Sequence, residues 1–301
     1  MTCFQDYWAA VVAAWPGIWL ADLLRYLVVA GGLVVALACA PAAWRERRTV
    51  RIRQVAGGQP LREFGHSMLT VLVFSLVGAS VLLGYHAGVM KIYLVPREFG
   101  WPWLLASFFV MVILHDAWFY WTHRLMHHRR LFRWVHRTHH QSLAPTPWAA
   151  YSFAPAEAFV QAIFLPLFLL LVPAHQFVVF LWMAHMIVRN VAGHAGIELV
   201  PRAWLAGWWG RWLTTTLHHE LHHAHGHANY GLYFVWWDRW CGTEHPGYQD
   251  RLWALAGRLY QARAARRGCE SKALASKEDQ TPRIAISPHT LTFSLRARQL
   301  P

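Results

Sequence analysis

Charged residues are scarce in this sequence. Asp, Glu, Lys and Arg make up only 14% of its 301 residues, whereas 56% are hydrophobic. An average soluble domain is about one-quarter charged. The composition therefore argues against an ordinary soluble globular protein and favours a chain that lies in a membrane.

Cysteine is also rare. The chain has four widely separated cysteines, Cys3, Cys39, Cys241 and Cys269. They show no paired spacing, which argues against a disulfide framework or a cysteine-based zinc site. The sequence also lacks a G-x-G-x-x-G loop. No nucleotide site is therefore evident, and any redox reaction would need electrons from another protein.

Long apolar runs are abundant. Roughly 20 helical residues cross a bilayer core, and three runs have about that length, at 26–44, 67–90 and 101–120. A fourth block, at 156–188, is interrupted by Pro166 and Pro173, which predicts two short helices that form a hairpin. The first run lies too far from the N-terminus for an ordinary signal peptide, so we interpret it as a retained span. We predict an all-α integral membrane bundle of four or five apolar helices with a histidine-rich helical cap.

The formal net charge of +13 predicts an orientation in the membrane rather than nucleic-acid binding. Arginines cluster after the first and third runs, at 45–53 and 124–137. Loops rich in Arg stay in the cytoplasm, and the two spans between these clusters agree with that placement. We expect a multi-pass protein of a bacterial inner membrane or an ER-type membrane. Its N-terminus would lie outside and its histidine-rich segments on the cytoplasmic face.

Three segments follow from these patterns. Residues 1–62 hold the first span and a basic cytoplasmic loop, 63–262 form the membrane-embedded domain, and 263–301 form a tail without hydrophobic periodicity. Small, charged and proline residues dominate the tail, so we expect it to be disordered and non-catalytic.

Histidine is unusually frequent: the chain has 20, and ten of them lie in three clusters. The clusters read HDAWFYWTHRLMHH from His115, HRTHH from His136 and HELHH from His219. Spacings of three and four residues place imidazoles on one face of a helix. Neutral imidazole is a good ligand for Zn, Cu, Fe and Ni. One ion needs only three or four protein ligands, so eight histidines in register predict a dinuclear metal site.

The position of the first cluster indicates the substrate. A helix that begins at Trp101 would cross about 30 Å by residue 121, at about 1.5 Å per residue. His123 and His127 would then emerge at the cytoplasmic face. A lipid in the bilayer could reach such a site, and a dinuclear iron centre that activates O2 would use all three clusters.

The segments around the clusters resemble a known family. The order H-R-x-x-H, H-x-x-H-H and H-x-x-H-H, followed by NYG at 229–231 and WDR at 237–239, is similar to the fatty acid hydroxylase/sterol desaturase superfamily across residues 110–245. The resemblance implies a membrane di-iron enzyme that uses O2 and external electrons to hydroxylate or desaturate a sterol-like or fatty-acyl lipid. It implies these metal ligands: His123, His127, His136, His139, His140, His194, His219, His222 and His223.

Other positions are ambiguous. Ala154 stands before Pro155, where many family members have histidine. His115 is interpreted either as a further ligand or as a hydrogen-bond partner of one. The remaining extra imidazoles near the motif are His128, His185, His218, His225 and His227.

Several carboxylates could accept the second N–H of a ligating histidine and so fix its tautomer. The alternative for each is a helix N-terminal carboxylate or an ion pair with a nearby arginine. Asn229 and Tyr230 could support the site or simply form a turn. The candidate carboxylates are Asp116, Glu157, Glu198, Glu220 and Asp238.

The resemblance also implies cofactors and partners. The cofactors would be two iron ions, which zinc can displace in nitrogen-rich sites. Electrons would come from a ferredoxin or a cytochrome b5-like donor with its reductase, and the arginine-rich face could dock such an acidic partner. The sequence does not separate hydroxylation from desaturation, and it predicts no oligomeric state.

Two other classes compete with this interpretation. The HELHH segment satisfies H-E-x-x-H, in which His219 and His223 would bind zinc and Glu220 would be the general base of a membrane metalloprotease. That hypothesis leaves the first two clusters unexplained. A non-enzymatic membrane metal carrier would want ligands inside its spans, whereas the boxes lie at or beyond the span ends.

Overall fold

Four helical segments are long and apolar enough to cross a membrane in the computed structural model, which describes residues 4–207 and 209–261. They are Tyr7–Cys39, Gln59–His86, Gly100–Met126 and Gln176–Gly193. A shorter apolar helical stretch, Pro155–Leu171, lies between the third and the fourth. The prediction of a helical membrane bundle with four or five apolar helices is thereby confirmed.

The first span differs from its prediction at 26–44. Helix α1 (Phe4–Tyr26) continues through a short π-helix (Leu27–Gly31) into α2 (Gly32–Cys39). Trp44 belongs to a separate helix, α3 (Ala42–Arg48). The apolar run in the sequence begins only after Asp22 and Arg25, but these two side chains form an ion pair of 2.8 Å and lie inside the helix.

The other spans are α4 (Gln59–His86), α5 (Gly100–Met126) and α10 (Gln176–Gly193). The block at 156–188 forms α8 (Pro155–Ala162) and α9 (Phe164–Leu171), and then most of α10. The predicted break at Pro173 is therefore present, but only the first half of the block is short (Pro155–Leu171), and the second half is a full-length span, α10. Strands β1 (Ile92–Tyr93) and β2 (Ala174–His175) pair in parallel and join the loops before α5 and α10.

Short helices form the histidine-bearing cap. They are α6 (Phe132–Val135), α7 (Arg137–His140), α11 (Arg202–Leu205), α12 (Thr216–His225) and α13 (Trp236–Trp240), with 3-10 turns at Pro96–Glu98, Pro147–Tyr151 and Trp209–Arg211. Thr215 caps α12 by accepting a hydrogen bond from the His218 backbone N–H, and Gly226 ends it in the left-handed conformation. Leu217 and Leu221 of α12 pack against Leu252 in a buried cluster. This packing fixes the helix that carries the third histidine box.

The basic loop after the first span is bound to the cap. Arg48 donates hydrogen bonds to the carbonyls of Glu198 (2.8 Å) and Val200 (3.1 Å). Arg51 donates to the carbonyls of Ala144 (3.2 Å), Pro145 (2.8 Å) and Ala195 (3.3 Å). These two arginines therefore hold the protein together instead of being free to dock a partner. The predicted tail at 263–301 lies outside the described residues, as do Cys3, Trp208 and Cys269.

Gly196 should be intolerant of a side chain. Its φ of 65° is left-handed, and a Cβ there would collide with the Arg51 guanidinium, which its carbonyl partners hold in place. We expect Gly196→Ala to destabilise the protein by about 1–3 kcal/mol, seen as a lower thermal unfolding midpoint in detergent. Gly88→Ala is the matched control, because Gly88 has a φ of 72° but open space around it. Equal losses for the two variants would contradict this account of Arg51.

Candidate metal centre

The first box lies at the end of the third span. His123 is on the last full turn of α5, and His127 follows at its C-terminal cap. Four residues separate them, so both imidazoles lie on the same face. His123 is only 1% exposed, because α5 carries it into the cap.

The second and third boxes approach from opposite sides. His136 precedes α7, which carries His139 and His140 as neighbours. The side chains of adjacent helical residues point about 100° apart, so these two imidazoles face in different directions. The same holds for His222 and His223 on α12. His194 joins them from the C-terminal cap of α10.

The nine predicted ligands come together as two groups. Within each group, one ligand atom per residue lies within 4.8 Å of all the others. The first group is His123, His127, His136, His140 and His222, and the second is His139, His194, His219 and His223. The groups are neighbours, since the rings of His140 and His223 are 4.8 Å apart.

The spacing of the imidazole nitrogens fits one ion per group. In the first group, Nε2 of His140 lies 3.1 Å from Nε2 of His127 and 3.0 Å from Nε2 of His222. In the second, Nε2 of His219 lies 2.9 Å from that of His194 and 3.1 Å from that of His223. Metal–nitrogen bonds of about 2.0–2.1 Å at right angles place neighbouring nitrogens about 3 Å apart. Each group can therefore surround a single metal ion.

Hydrogen bonds to the far side of the rings select the tautomer. The Nδ1–H of His123 donates to the carbonyl of Tyr230 (2.9 Å), and that of His222 donates to the carbonyl of Ala228 (2.7 Å). His194 donates in the same way to Asn190 (2.7 Å). A ring that donates through Nδ1 keeps the lone pair of Nε2 free for a metal.

Burial keeps the imidazoles neutral. Desolvation first, and repulsion from neighbouring imidazoles second, hold the pKa of His139, His219 and His222 well below the usual value. Burial and His222 lower the pKa of His127 to about 2. Burial lowers the pKa of His194 to about 4. At neutral pH these rings are unprotonated, which is the form that binds metal.

One of the candidate carboxylates touches a box histidine. Glu157, at the start of α8, accepts a hydrogen bond from Nδ1 of His136 at 2.7 Å. The carboxyl group is buried, and its second oxygen, Oε2, has no hydrogen-bond partner. Burial raises the pKa of Glu157 well above its usual value, so what the geometry assigns to Glu157 is the orientation of the His136 ring through this hydrogen bond.

Other predicted carboxylates bind backbone N–H groups instead. Asp116 accepts from Tyr233 at 2.8 Å, Glu198 from Leu217 at 3.2 Å, and Glu220 from Ile52 at 3.0 Å. These acids fix the loops and helix ends that surround the cap. Sequence spacing alone did not separate them from Glu157, because it does not show what a buried carboxylate faces.

The NYG turn supports the first group through its backbone. Asp238 accepts from the N–H groups of Tyr230 (2.8 Å) and Gly231 (2.9 Å), and it lies 3.3 Å from Nε2 of His218. Asp238 thereby holds in place the Tyr230 carbonyl that accepts the hydrogen bond from His123. Asn229, whose φ is 61°, donates to the carbonyl of His218 at 2.9 Å.

His115 lies outside both groups. Its Nδ1 is 2.9 Å from the Tyr233 hydroxyl, and its ring packs against Phe164 and Trp182. His185 packs on the Tyr233 ring, with centroids 4.7 Å apart. Among the described residues, the extra imidazoles that also lie outside the two groups are His128, His218, His225 and His227.

The arrangement of α12 does not fit a zinc protease. His219 and His223 share the second group, but His222 between them belongs to the first. The Glu220 carboxylate bonds to the N–H of Ile52 in the basic loop, away from both groups. A general base must reach the metal-bound water, so this glutamate is in the wrong place for that role.

An apolar cavity of about 570 Å³ lies among the apolar helices, and although none of the nine clustered histidines lines it, two of its aromatic lining residues contact them. Helices α1, α4, α5, α9 and α10 contribute its walls. Phe119 and Phe153 line it and also contact the histidines: their rings lie 5.0 Å from His123 and 5.2 Å from His139. An elongated apolar molecule could therefore approach both groups without crossing water.

Comparisons with known proteins agree with this architecture. The fatty acid hydroxylase family profile matches residues 108–243. Over 198 residues the chain is 29% identical to Delta(7)-sterol 5(6)-desaturase ERG3B of Gibberella zeae, which covers 66% of this chain and 60% of that protein. Over 255 residues it is 27% identical to lathosterol oxidase of Rattus norvegicus, covering 80% and 83% of the two chains. No solved structure matches the chain.

A third relative is methylsterol monooxygenase 1 of Rattus norvegicus, 29% identical over 156 residues that cover 50% of this chain and 52% of that one. The profile match contains all nine clustered histidines. Residues 108–243 are therefore similar to the fatty acid hydroxylase/sterol desaturase superfamily, and the four apolar helices make the chain a multi-pass membrane protein.

Glu157 should matter for metal affinity, and Glu220 should not. Glu157→Gln replaces the carboxyl group that accepts the His136 hydrogen bond with a weaker amide acceptor, so we expect about tenfold weaker metal binding. Titration of metal-stripped protein with Fe(II) or Zn(II) measures this change. Glu220→Gln is the matched control, because it makes the same change at a buried glutamate whose partner is the Ile52 N–H rather than a box histidine. Equal loss of affinity in both variants would contradict the assignment.

Proposed function

We propose that this protein is a membrane oxidoreductase that binds two iron ions and uses O2 to hydroxylate or desaturate a lipid. The observation that carries the proposal is the division of nine histidines, eight of them buried and His127 half-buried, into groups of five and four beside an apolar cavity. One group alone would suit a mononuclear hydrolase. Two adjacent groups suit a dinuclear centre.

The chemistry of the reaction requires both metal and external electrons. When bound, ferrous iron would supply the activation of O2 that an unactivated C–H bond needs. Hydroxylation consumes one O2, two electrons and two protons, and yields the alcohol and one water. Desaturation consumes the same reagents and yields an alkene and two waters. The balance therefore needs an electron donor in either case.

The protein residues would hold, orient and shield. The five-histidine and four-histidine groups each hold an ion, and Glu157 and the carbonyls of Tyr230, Ala228 and Asn190 orient the rings. Phe119 and Phe153 lie between the cavity and the histidines and would position the lipid against the centre. A dry site of this kind limits the escape of reactive species.

The proposed substrate is a sterol-like lipid. The relatives named above include one desaturase and one monooxygenase whose names give a sterol as the substrate. The apolar cavity supports a lipid, but its walls favour neither reaction. Desaturation and hydroxylation therefore both stand.

An exposed arginine surface supports a separate electron donor. All of its arginines lie around the first two boxes, and each is exposed: Arg124, Arg129, Arg130, Arg133 and Arg137. A ferredoxin or a cytochrome b5-like protein carries acidic residues that such a surface would attract. The positive charge also supports a cytoplasmic location for the cap.

Metal analysis tests the proposed centre. We expect close to two irons per chain in protein made in iron-rich medium and purified without added zinc. His139→Ala and His222→Ala should each lower this value, because each removes a member of a different group. His115→Ala is the control and should keep both ions. One zinc per chain, retained in His139→Ala but lost in His223→Ala, would contradict the proposal and favour the protease.

The products test the reaction. We expect membranes that contain the protein to yield a sterol-like lipid with one added oxygen atom or with two hydrogens fewer, detected by mass spectrometry. Label from ¹⁸O2 should enter the lipid only in the first case. Formation should stop in His139→Ala and without a reductant. A product that forms without O2 would contradict the proposal.

A further inference from the structure

An ion pair lies in the wall of the apolar cavity. Asp22 and Arg25, both on α1, line the cavity, and Oδ1 of Asp22 lies 2.8 Å from Nη2 of Arg25. The side chains are 12% and 20% exposed. The surrounding lining is apolar, with Ile18, Val77 and Phe180 among its residues.

The position of this pair is energetically costly. Both residues lie near the middle of the span Tyr7–Cys39, where a charge is far from water on either side. Charged residues at this depth are rare and usually serve a function. A pair of apolar side chains would be about as stable there, so the ion pair is not explained by the stability of the bundle.

The pair has hydrogen-bonding capacity to spare. The Nε of Arg25 is buried without a partner, and one of its Nη atoms contacts only the Met183 sulfur at 3.2 Å, a weak acceptor. Tyr151 also lines the cavity and is completely buried. Its hydroxyl lies beside the Arg25 guanidinium but makes no hydrogen bond of normal geometry. Unpaired buried polar groups of this kind are expensive unless a ligand pairs with them.

We propose that Asp22, Arg25 and Tyr151 form a subsite that binds the hydroxyl group of a sterol-class alcohol. The alcohol would donate to the Asp22 carboxylate and accept from Arg25 or Tyr151. The ion pair is neutral overall, so it suits a neutral alcohol, whereas a fatty-acid carboxylate would add an uncompensated negative charge. This inference rests on the proposed function only in assuming that the cavity takes a lipid.

The subsite is connected to the metal centre through two aromatic rings. Tyr151 contacts Phe153, with centroids 6.4 Å apart, and Phe153 contacts His139 at 5.2 Å. A hydroxyl held at Tyr151 would therefore fix one end of the lipid close to the second histidine group. The subsite would then decide which carbon faces the metal.

Binding without turnover tests the subsite. The full-length protein in detergent, kept without an electron donor, is titrated with lathosterol, with its methyl ether and with palmitate. We expect lathosterol to bind at least about tenfold more tightly than the ether, since the ether loses the donated hydrogen bond to a charged group. The preference should disappear in the double variant Asp22→Leu, Arg25→Met and shrink in Tyr151→Phe.

Tyr26→Phe is the matched control. The Tyr26 hydroxyl is buried on the same helix but bonds to the Trp148 carbonyl, and Tyr26 does not line the cavity. This variant should keep the full preference for the alcohol. If the double variant does not fold, Tyr151→Phe carries the test, because it removes one oxygen and leaves the ion pair in place.

Four results would each contradict the proposed subsite. The wild type could bind lathosterol and its ether equally well, bind palmitate more tightly than lathosterol, or not bind lathosterol. The preference for the alcohol over the ether could also stay unchanged in Tyr151→Phe and in the double variant. Metal content is measured on the same samples. Two irons without an alcohol preference would reject the subsite and leave the proposed centre intact. An alcohol preference without two irons would do the reverse.

Discussion

Each imidazole of the centre must present an unprotonated Nε2 to the interior, and the surrounding structure is built to meet this requirement. Burial disfavours the charged form of the rings. The carbonyls of Tyr230, Ala228 and Asn190 accept hydrogen bonds from the Nδ1–H groups. The backbone that supplies these carbonyls is fixed in turn by Asp238 and by the end of α10. The polar groups of the cap thus act mainly on the orientation of the rings.

The two histidine groups are interleaved along the chain. Neighbouring residues such as His139 and His140, or His222 and His223, enter different groups. The first group forms only when α5, α7 and α12 have come together, and the second only when α7, α12 and the end of α10 have done so. Metal binding is therefore coupled to folding of the whole cap, since an ion gains its ligands only when distant segments meet.

Much of this architecture could be predicted from the sequence. The histidine boxes have a regular spacing and two of the spans are long apolar runs, and the structure places His123, His139 and His222 where the boxes suggest. The division into two groups could not be predicted, because it depends on how short helices are rotated against each other. The first span was misplaced because Asp22 and Arg25 interrupt its apolar pattern, and their pairing is visible only in three dimensions.

The hydrogen bonds of the basic loop constrain the order in which segments of the nascent chain can fold. Thr49 pairs with Ile197, and Arg48 bonds to the carbonyls of Glu198 and Val200, about 150 residues further along the chain. A loop made early in synthesis must therefore remain open until the segment after His194 has been made. Contacts over such separations form slowly. The nascent chain consequently passes through a stage in which its spans are inserted but its histidines are still apart, and the cap closes only after the segment beyond His194 has been made.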